Sequence, residues 1–318
     1  MSAPRPSADD LHRATVRFQQ QPLVRLGDER NMLLLAPQAG GRLVRWVHRG
    51  IDLLHWPDPA DWTRPAKIRG GNPLLFPLIG RHFVDGEAGR WRDPLGKVHA
   101  MPQHGFARDL PFEVATLDPT GSITMSLADS AATREAYPFA FRFEVGYRLL
   151  PDGLEAVFEV HNLGDTPLPF QAGHHFYFAV PAALRSQCRL AMPPAERLRQ
   201  RADGGLTEAE AGESVYALDD PRLQDTFHRL AGNGRGPALS IPAAGARPAL
   251  TLAFDLAPKT PDALAWHAMT TWAEHEQADH YCVEPWLGLP DGVHRGEALR
   301  VAPGNSVRAA CRIGVRID

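Results

Sequence analysis

Three stretches of the chain set reactive polar side chains inside otherwise apolar sequence. The first is Arg69-Gly-Gly-Asn-Pro-Leu-Leu-Phe-Pro-Leu-Ile-Gly-Arg81, followed after a Gly-rich turn by Met101-Pro-Gln-His-Gly-Phe-Ala-Arg-Asp109. The second is Phe170-Gln-Ala-Gly-His-His-Phe-Tyr-Phe178, and the third is Tyr281-Cys-Val-Glu-Pro-Trp286, leading on to Leu289-Pro-Asp-Gly292. Glu284 ends an apolar run and is followed at once by a proline and a tryptophan. A carboxylate half-buried there has its pKa raised toward the range useful for a general base. His175 offers an imidazole among aromatics. Each residue also has a plainer reading: His175 as a satisfied core histidine, Glu284 as an ion-pair partner of Arg81 or Arg108, Asn72-Pro73 and Gly105 as turn formers. His174 and His175 alternate across a strand, so only one of them can face a given site.

Other chemistries find less support. His104, His175 and Glu284 could make a two-His-one-carboxylate metal site, but the compact His-x-His spacing usual for such sites on β-sandwiches is absent, and no metal is expected. No Gly-x-Ser-x-Gly elbow occurs, which argues against a serine hydrolase. No Gly-rich phosphate loop occurs either, and with it goes a dinucleotide-binding domain.

The elements that must position these residues read as short strands. Arg142–Leu149 and Leu154–Val160 alternate apolar and polar residues around Pro151-Asp152-Gly153, the pattern of a β-hairpin with one buried face. Further runs fall at Thr15–Phe18, Asn31–Leu35, Leu43–His48, Phe112–Leu117, Ser122–Leu127, Ala249–Phe254, Tyr281–Val283 and Val307–Ile317. Ser130–Ala136, Asp58–Trp62 and Glu208–Glu213 are expected as brief helical turns, and Glu196–Ser214 as a long polar surface loop. The expected fold is all-β, a large antiparallel sandwich in one domain over residues 1–318, with about residues 1–12 as a loose tail.

Composition narrows the partners. The 318 residues carry 34 Lys and Arg against 37 Asp and Glu, a formal net charge of −3, and 28 glycines with 29 prolines favour many turns. No clustered cationic excess for nucleic acid is present. The three cysteines, Cys188, Cys282 and Cys311, are far apart and match neither a disulfide framework nor a cysteine zinc site. The N-terminus has no apolar run of the secretory kind, and no stretch approaches the ~20 apolar residues of a membrane helix. A cytoplasmic protein is expected.

Taken in order, these segments resemble the aldose 1-epimerase (galactose mutarotase-like) family. The resemblance runs from Leu33 to Ile317 and rests on Gly-Asn-Pro-x-Leu-Phe-Pro-x-Ile-Gly-Arg81, Gln103-His-Gly-Phe-Ala-Arg-Asp109, Gly173-x-His175-x-Tyr177-Phe178, Glu284-Pro-Trp286 and Ala302-Pro-Gly304. It implies a β-supersandwich with a sugar cleft, no cofactor, and a monomer or homodimer. It also implies that His175 is the catalytic acid, Glu284 the catalytic base, His104 a second active-site histidine and Arg81 a sugar-binding arginine. Asp225 is the best match to the substrate-binding aspartate, while Arg108 and Trp286 join the substrate contacts. His174 stands where the family more commonly carries an apolar residue.

The implied activity is interconversion of the α and β anomers of an aldohexose by acid–base ring opening. Phe83, Phe106, Tyr177, Trp272 and Trp286 are available to pack on sugar C–H faces. The alternative within the fold is a hexose-6-phosphate 1-epimerase, with Lys67, Arg69, His82 or Arg108 meeting the phosphate. From another class, the alternative is a non-catalytic carbohydrate-binding or sugar-sensing protein.

Overall fold

The computed structural model describes residues 5–232 and 234–318. Its frame grows from the central hairpin. Phe141–Leu150 and Gly153–Asn162 pair antiparallel from Phe141↔Asn162 to Leu150↔Gly153. Their period-two pattern buries Phe143, Val145 and Tyr147 on one strand and Ala156, Phe158 and Val160 on the other. The hairpin lies within a nine-stranded antiparallel sheet. Glu113–Asp118 and Ser122–Ala128 extend it on one side; Ser306–Ile317, Leu250–Asp255, Arg235–Ile241, Arg189–Ala191 and Val215–Ala217 extend it on the other.

An eight-stranded sheet carries the polar segments. It runs Glu210–Ala211, Ala195–Leu198, Thr226–Leu230, Ala268–Trp272, His280–Trp286, Gly173–His174 and Leu74–Leu75, and Tyr177–Ala179 also pairs with His280–Trp286. A five-stranded meander between Thr15 and Asp52 completes the large sheets. The apolar core joins them. Phe76, beside Leu74–Leu75, stacks on Phe143 of the central hairpin at 4.4 Å between ring centroids, and Phe158 stacks on His174 at 4.1 Å. The sequence expectation of an all-β antiparallel sandwich therefore holds.

Three local expectations need correction. Residues 8–12 of the expected loose tail belong to a helix, Ala8–Ala14, because Ser7 and Asp10 build a reciprocal capping box over its first turn; residues 1–4 of that tail lie outside the described residues. Asp58–Trp62 forms turns rather than a helix, in keeping with Pro57 and Pro59, which lack the N–H a helix needs. Glu208–Glu213 contains the strand Glu210–Ala211, paired to Glu196 and Arg197; its helix-forming composition yields to an available sheet edge. Ser130–Ala136 does form its turn, as a capped helix Ala131–Ala136.

Candidate active site

Glu284 lies in His280–Trp286, a strand buried along its whole length. Thr270 stands opposite Glu284 on the neighbouring strand. On the other side the ladder is interrupted: Gly173 pairs with Trp286 and Tyr177 with Cys282, and His175 falls in the gap. The His175 N–H, not taken up by that ladder, donates instead to Asn72 Oδ1 at 2.8 Å. The His175 ring, stacked parallel on Tyr177 at 4.7 Å, thereby meets the carboxylate. His175 Nδ1 lies 3.2 Å from Glu284 Oε1, with the two residues 6% and 0% exposed.

The carboxylate is held asymmetrically. Oε2 accepts the Trp286 Nε1–H at 3.2 Å, whereas Oε1 and His175 Nδ1 have close approach without hydrogen-bond alignment. Burial drives Glu284 well above the usual carboxylate range; Trp286 and Arg108 oppose this and Asp225 adds to it. Burial likewise drives His175 well below the ordinary imidazole value, aided by Arg108 and Arg69. Both pressures favour neutral groups, with the pair's shared proton on the carboxyl. Desolvation here outweighs the mutual attraction of the two groups.

His104 sits at φ +69° beside Gly105 at φ +74°. A Cβ on Gly105 would lie 2.1 Å from the Phe76 carbonyl oxygen, so the turn requires glycine. The Gly80 N–H donates to His104 Nδ1 at 3.1 Å, which leaves the proton on Nε2. Burial, then Arg108, keeps this ring neutral. His104 Nε2 lies 3.2 Å from the Gln103 side-chain amide, whose oxygen must face it when Nε2 carries the proton, and the ring stands edge-on to both His175 and Trp286 at 5.7 Å.

Around these groups lies a cavity of about 260 Å³, small enough for a single sugar unit and lined by every sequence-nominated site residue: Arg81, His104, Arg108, His175, Asp225, Glu284 and Trp286. Arg81 and Asp225 are exposed at its edge, with Asp225 at φ +49°. Arg108 donates to the Gln103 carbonyl at 2.6 Å. Lys67 and Arg69 also reach the cavity; Arg69 lies over the Trp272 ring and pairs with Glu274 at 3.3 Å. His82 does not. It is fully buried, its Nδ1 3.6 Å from Asp291 Oδ1, and cannot serve a phosphate.

Only part of the expected aromatic set lines the cavity. Trp272 and Trp286 do, Tyr177 backs His175, and Phe106 packs on Phe76 and Tyr137 in the core. Phe83 abuts Gly204, where a Cβ would approach it to 2.4 Å. Sequence reading missed Gln103, Phe227 and Thr270, which line the cavity, and Gln200, which reaches it from the polar loop and donates to the Arg81 carbonyl at 3.0 Å. Neither Thr226-Phe-His-Arg-Leu230 nor Ala268-Met-Thr-Thr-Trp272 alternates apolar with polar residues, so no local pattern pointed to Phe227 or Thr270. The metal-capable cluster here is His175, Cys282 and Glu284, with ligand atoms within 4.8 Å of one another, rather than the set containing His104. Burial raises the Cys282 thiol well above its ordinary value, which opposes the thiolate a metal needs.

No helix among the described residues is long and apolar enough to cross a membrane. A Salmonella typhimurium protein with the provisional name glucose-6-phosphate 1-epimerase is 28% identical over 115 residues, 34% of each chain, so the match spans about a third of that relative. Two solved structures share the fold. One, the Slr1438 protein of Synechocystis, superposes with a TM-score of 0.77 at 24% identity over 95% of this chain and 99% of its own. A galactose mutarotase related enzyme of Lactobacillus acidophilus gives 0.74 at 22% identity over 92% and 97%. The family model described as Aldose 1-epimerase matches residues 22–207, more than half the chain, and the protein is a member of the aldose 1-epimerase family of isomerases.

Proposed function

We propose that the chain interconverts the α and β anomers of an aldohexose, with Glu284 as base and His175 as acid. The observation that carries this is the 3.2 Å approach of His175 Nδ1 to Glu284 Oε1 at a sugar-sized cavity. A bound sugar's O1–H meets the unpartnered Oε1, and this bond, with the Arg108 charge nearby, offsets the burial penalty on the carboxylate. The shared proton then resides on His175. Glu284 removes the O1 proton as the C1–O1 double bond forms, the C1–O5 bond breaks, and O5 takes the proton from His175. Rotation about C1–C2 presents the other aldehyde face, and the reverse transfers close the ring with no net change in protons.

His104 Nε2–H and the arginines are placed to donate to sugar oxygens, and Asp225 to accept from a hydroxyl. Each positioned acid or base contributes roughly 10²–10⁴-fold. Glu284→Gln and His175→Asn are expected to slow anomer exchange on that scale while remaining folded; near-normal exchange by NMR in either variant would refute the assignment.

A second reading, a hexose 6-phosphate as substrate, is favoured by Lys67, Arg69, Arg81 and Arg108 gathered around one cavity. Side-by-side exchange assays on glucose and glucose 6-phosphate decide between the two. Calorimetric sugar binding without any accelerated exchange would instead support a non-catalytic sugar-binding protein.

A further inference from the structure

His174 contributes nothing to the cavity, yet it is a fully buried histidine that ends the short strand Gly173–His174, immediately before His175. Its ring is packed among Phe158 at 4.1 Å, Phe176 at 5.0 Å and Trp266 at 5.6 Å. Burial lowers its pKa to about 3, so it is neutral at physiological pH. An apolar side chain would suit such surroundings, and the reason for an imidazole lies in one hydrogen-bond chain.

Asn72 is the hub of that chain. Its Oδ1 accepts the His175 N–H at 2.8 Å. A backbone N–H can only donate, so this bond fixes which end of the amide faces His175 and turns the Nδ2 group inward. Nδ2 then donates to the Tyr147 hydroxyl at 2.8 Å and meets His174 Nδ1 at 2.9 Å. With Nδ2 the donor, His174 Nδ1 is the acceptor and the ring proton sits on Nε2. That nitrogen is buried and has no hydrogen-bond partner. A buried N–H without an acceptor costs stability, so the imidazole is poorly explained as a stabilising core residue. What it provides is an acceptor for the second Asn72 N–H, leaving the amide with every polar hydrogen and its oxygen engaged in one orientation.

We infer that His174 is a positioning residue for the reaction: through Asn72 it holds the His175 backbone, at the break in the strand ladder, where the ring meets Glu284. The inference rests on the reading of His175 as the acid. Removing the acceptor leaves an Asn72 N–H unpaired, frees the amide to turn, and loosens the His175 main chain by a fraction of an ångström. Misplacement on that scale costs a catalytic group much of its rate while leaving sugar contacts made by other residues in place.

The test compares His174→Leu, which keeps an apolar volume, with His174→Gln, whose amide oxygen can accept from Asn72. His174→Leu is expected to lower kcat about ten- to a hundredfold with KM within about twofold. His174→Gln is expected to restore most of kcat. Asn72→Ala combined with His174→Leu is expected to cost no more than the worse single variant, since both break one chain. Equal kcat in the Leu and Gln variants, or a KM rise matching the kcat loss, overturns the inference. Should the variants fail to fold, nitrogen NMR of the unmodified protein decides: an Nε2–H tautomer at His174 supports the chain and an Nδ1–H tautomer overturns it. Normal exchange in His175→Asn would defeat the underlying reading, whereas an inactive His175→Asn beside a fully active His174→Leu would defeat this inference alone.

Discussion

Trp286 and Glu284 lie two residues apart on one strand, and the indole Nε1–H donates to the carboxylate Oε2 at 3.2 Å. The same register sets Gly173 opposite Trp286, where a Cβ would approach the indole to 2.6 Å. The indole is therefore held by close packing, and it fixes one carboxylate oxygen while the other faces His175.

This bond opposes the burial that raises Glu284. A hydrogen bond to a charged group is worth about 1.5–3 kcal/mol, so its loss leaves the burial less opposed. In the free protein the carboxyl holds the proton that His175 later delivers, so activity falls as pH rises through the Glu284 pKa. In Trp286→Phe the lowering influence is lost, and the alkaline limb of the kcat/KM profile is expected to move upward. An unmoved or downward-shifted limb would contradict the role given to the indole.

Buried imidazoles also set the response of the whole fold to acid. Burial lowers His174 and His280 to about 3 and His228 to about 4. Between those values and the ordinary pKa near 6.5, the unfolded chain binds protons that the folded chain does not, so stability rises with pH and falls on acidification. Each group contributes about 1.4 kcal/mol per pH unit well inside that window. Denaturant midpoints are expected to drop steeply from about pH 6 downward, by up to about 4 kcal/mol per unit around pH 5. Stability that stays flat to pH 4.5, then falls only where carboxylates titrate, would show that these rings accept protons without unfolding.

Much of this architecture was legible in advance because strand alternation is local. The pattern in Arg142–Leu149 and Leu154–Val160 predicts a hairpin that the structure extends by only one or two residues at each end. The site was legible for a different reason: His175, Glu284, His104 and Arg81 are polar groups at odds with the apolar segments around them. Residues whose roles depend on distant partners were not. Asn72 reads as a turn former beside Pro73, and only the fold brings it to the His175 N–H. His82 reads as a phosphate contact, and only the fold buries it beside Asp291. The proton position within the Glu284–His175 pair escaped for the same reason, since desolvation is a property of the assembled pocket.

Gly105 tests how tightly the first segment is tied to the site. Its φ of +74° and the 2.1 Å approach of a would-be Cβ to the Phe76 oxygen leave no room for a side chain. The Phe76 carbonyl also accepts the Phe106 and Ala107 N–H groups at 3.0 and 3.1 Å. Gly105→Ala is expected to destabilise the protein by about 4 kcal/mol or more, seen as a large fall in Tm. A fall of under about 1 kcal/mol would show that the turn can relax away from Phe76.

The cations at the cavity separate the two substrate readings, because they are not equivalent. Arg69 already pairs with Glu274, and Arg108 is tied to the Gln103 carbonyl. Arg81 and Lys67 are exposed at the cavity, and among the described residues neither has a carboxylate partner, so a phosphate would gain most from these two. A charge-assisted bond of about 1.5–3 kcal/mol corresponds to about ten- to a hundredfold. If the sugar is phosphorylated, Arg81→Ala should lower kcat/KM for glucose 6-phosphate by that factor and for glucose far less. Charge screening should add to this: raising salt should weaken glucose 6-phosphate turnover in the unmodified enzyme more than in Arg81→Ala. An equal loss on both sugars would instead mark Arg81 as a contact to the hydroxyls of an unphosphorylated aldose.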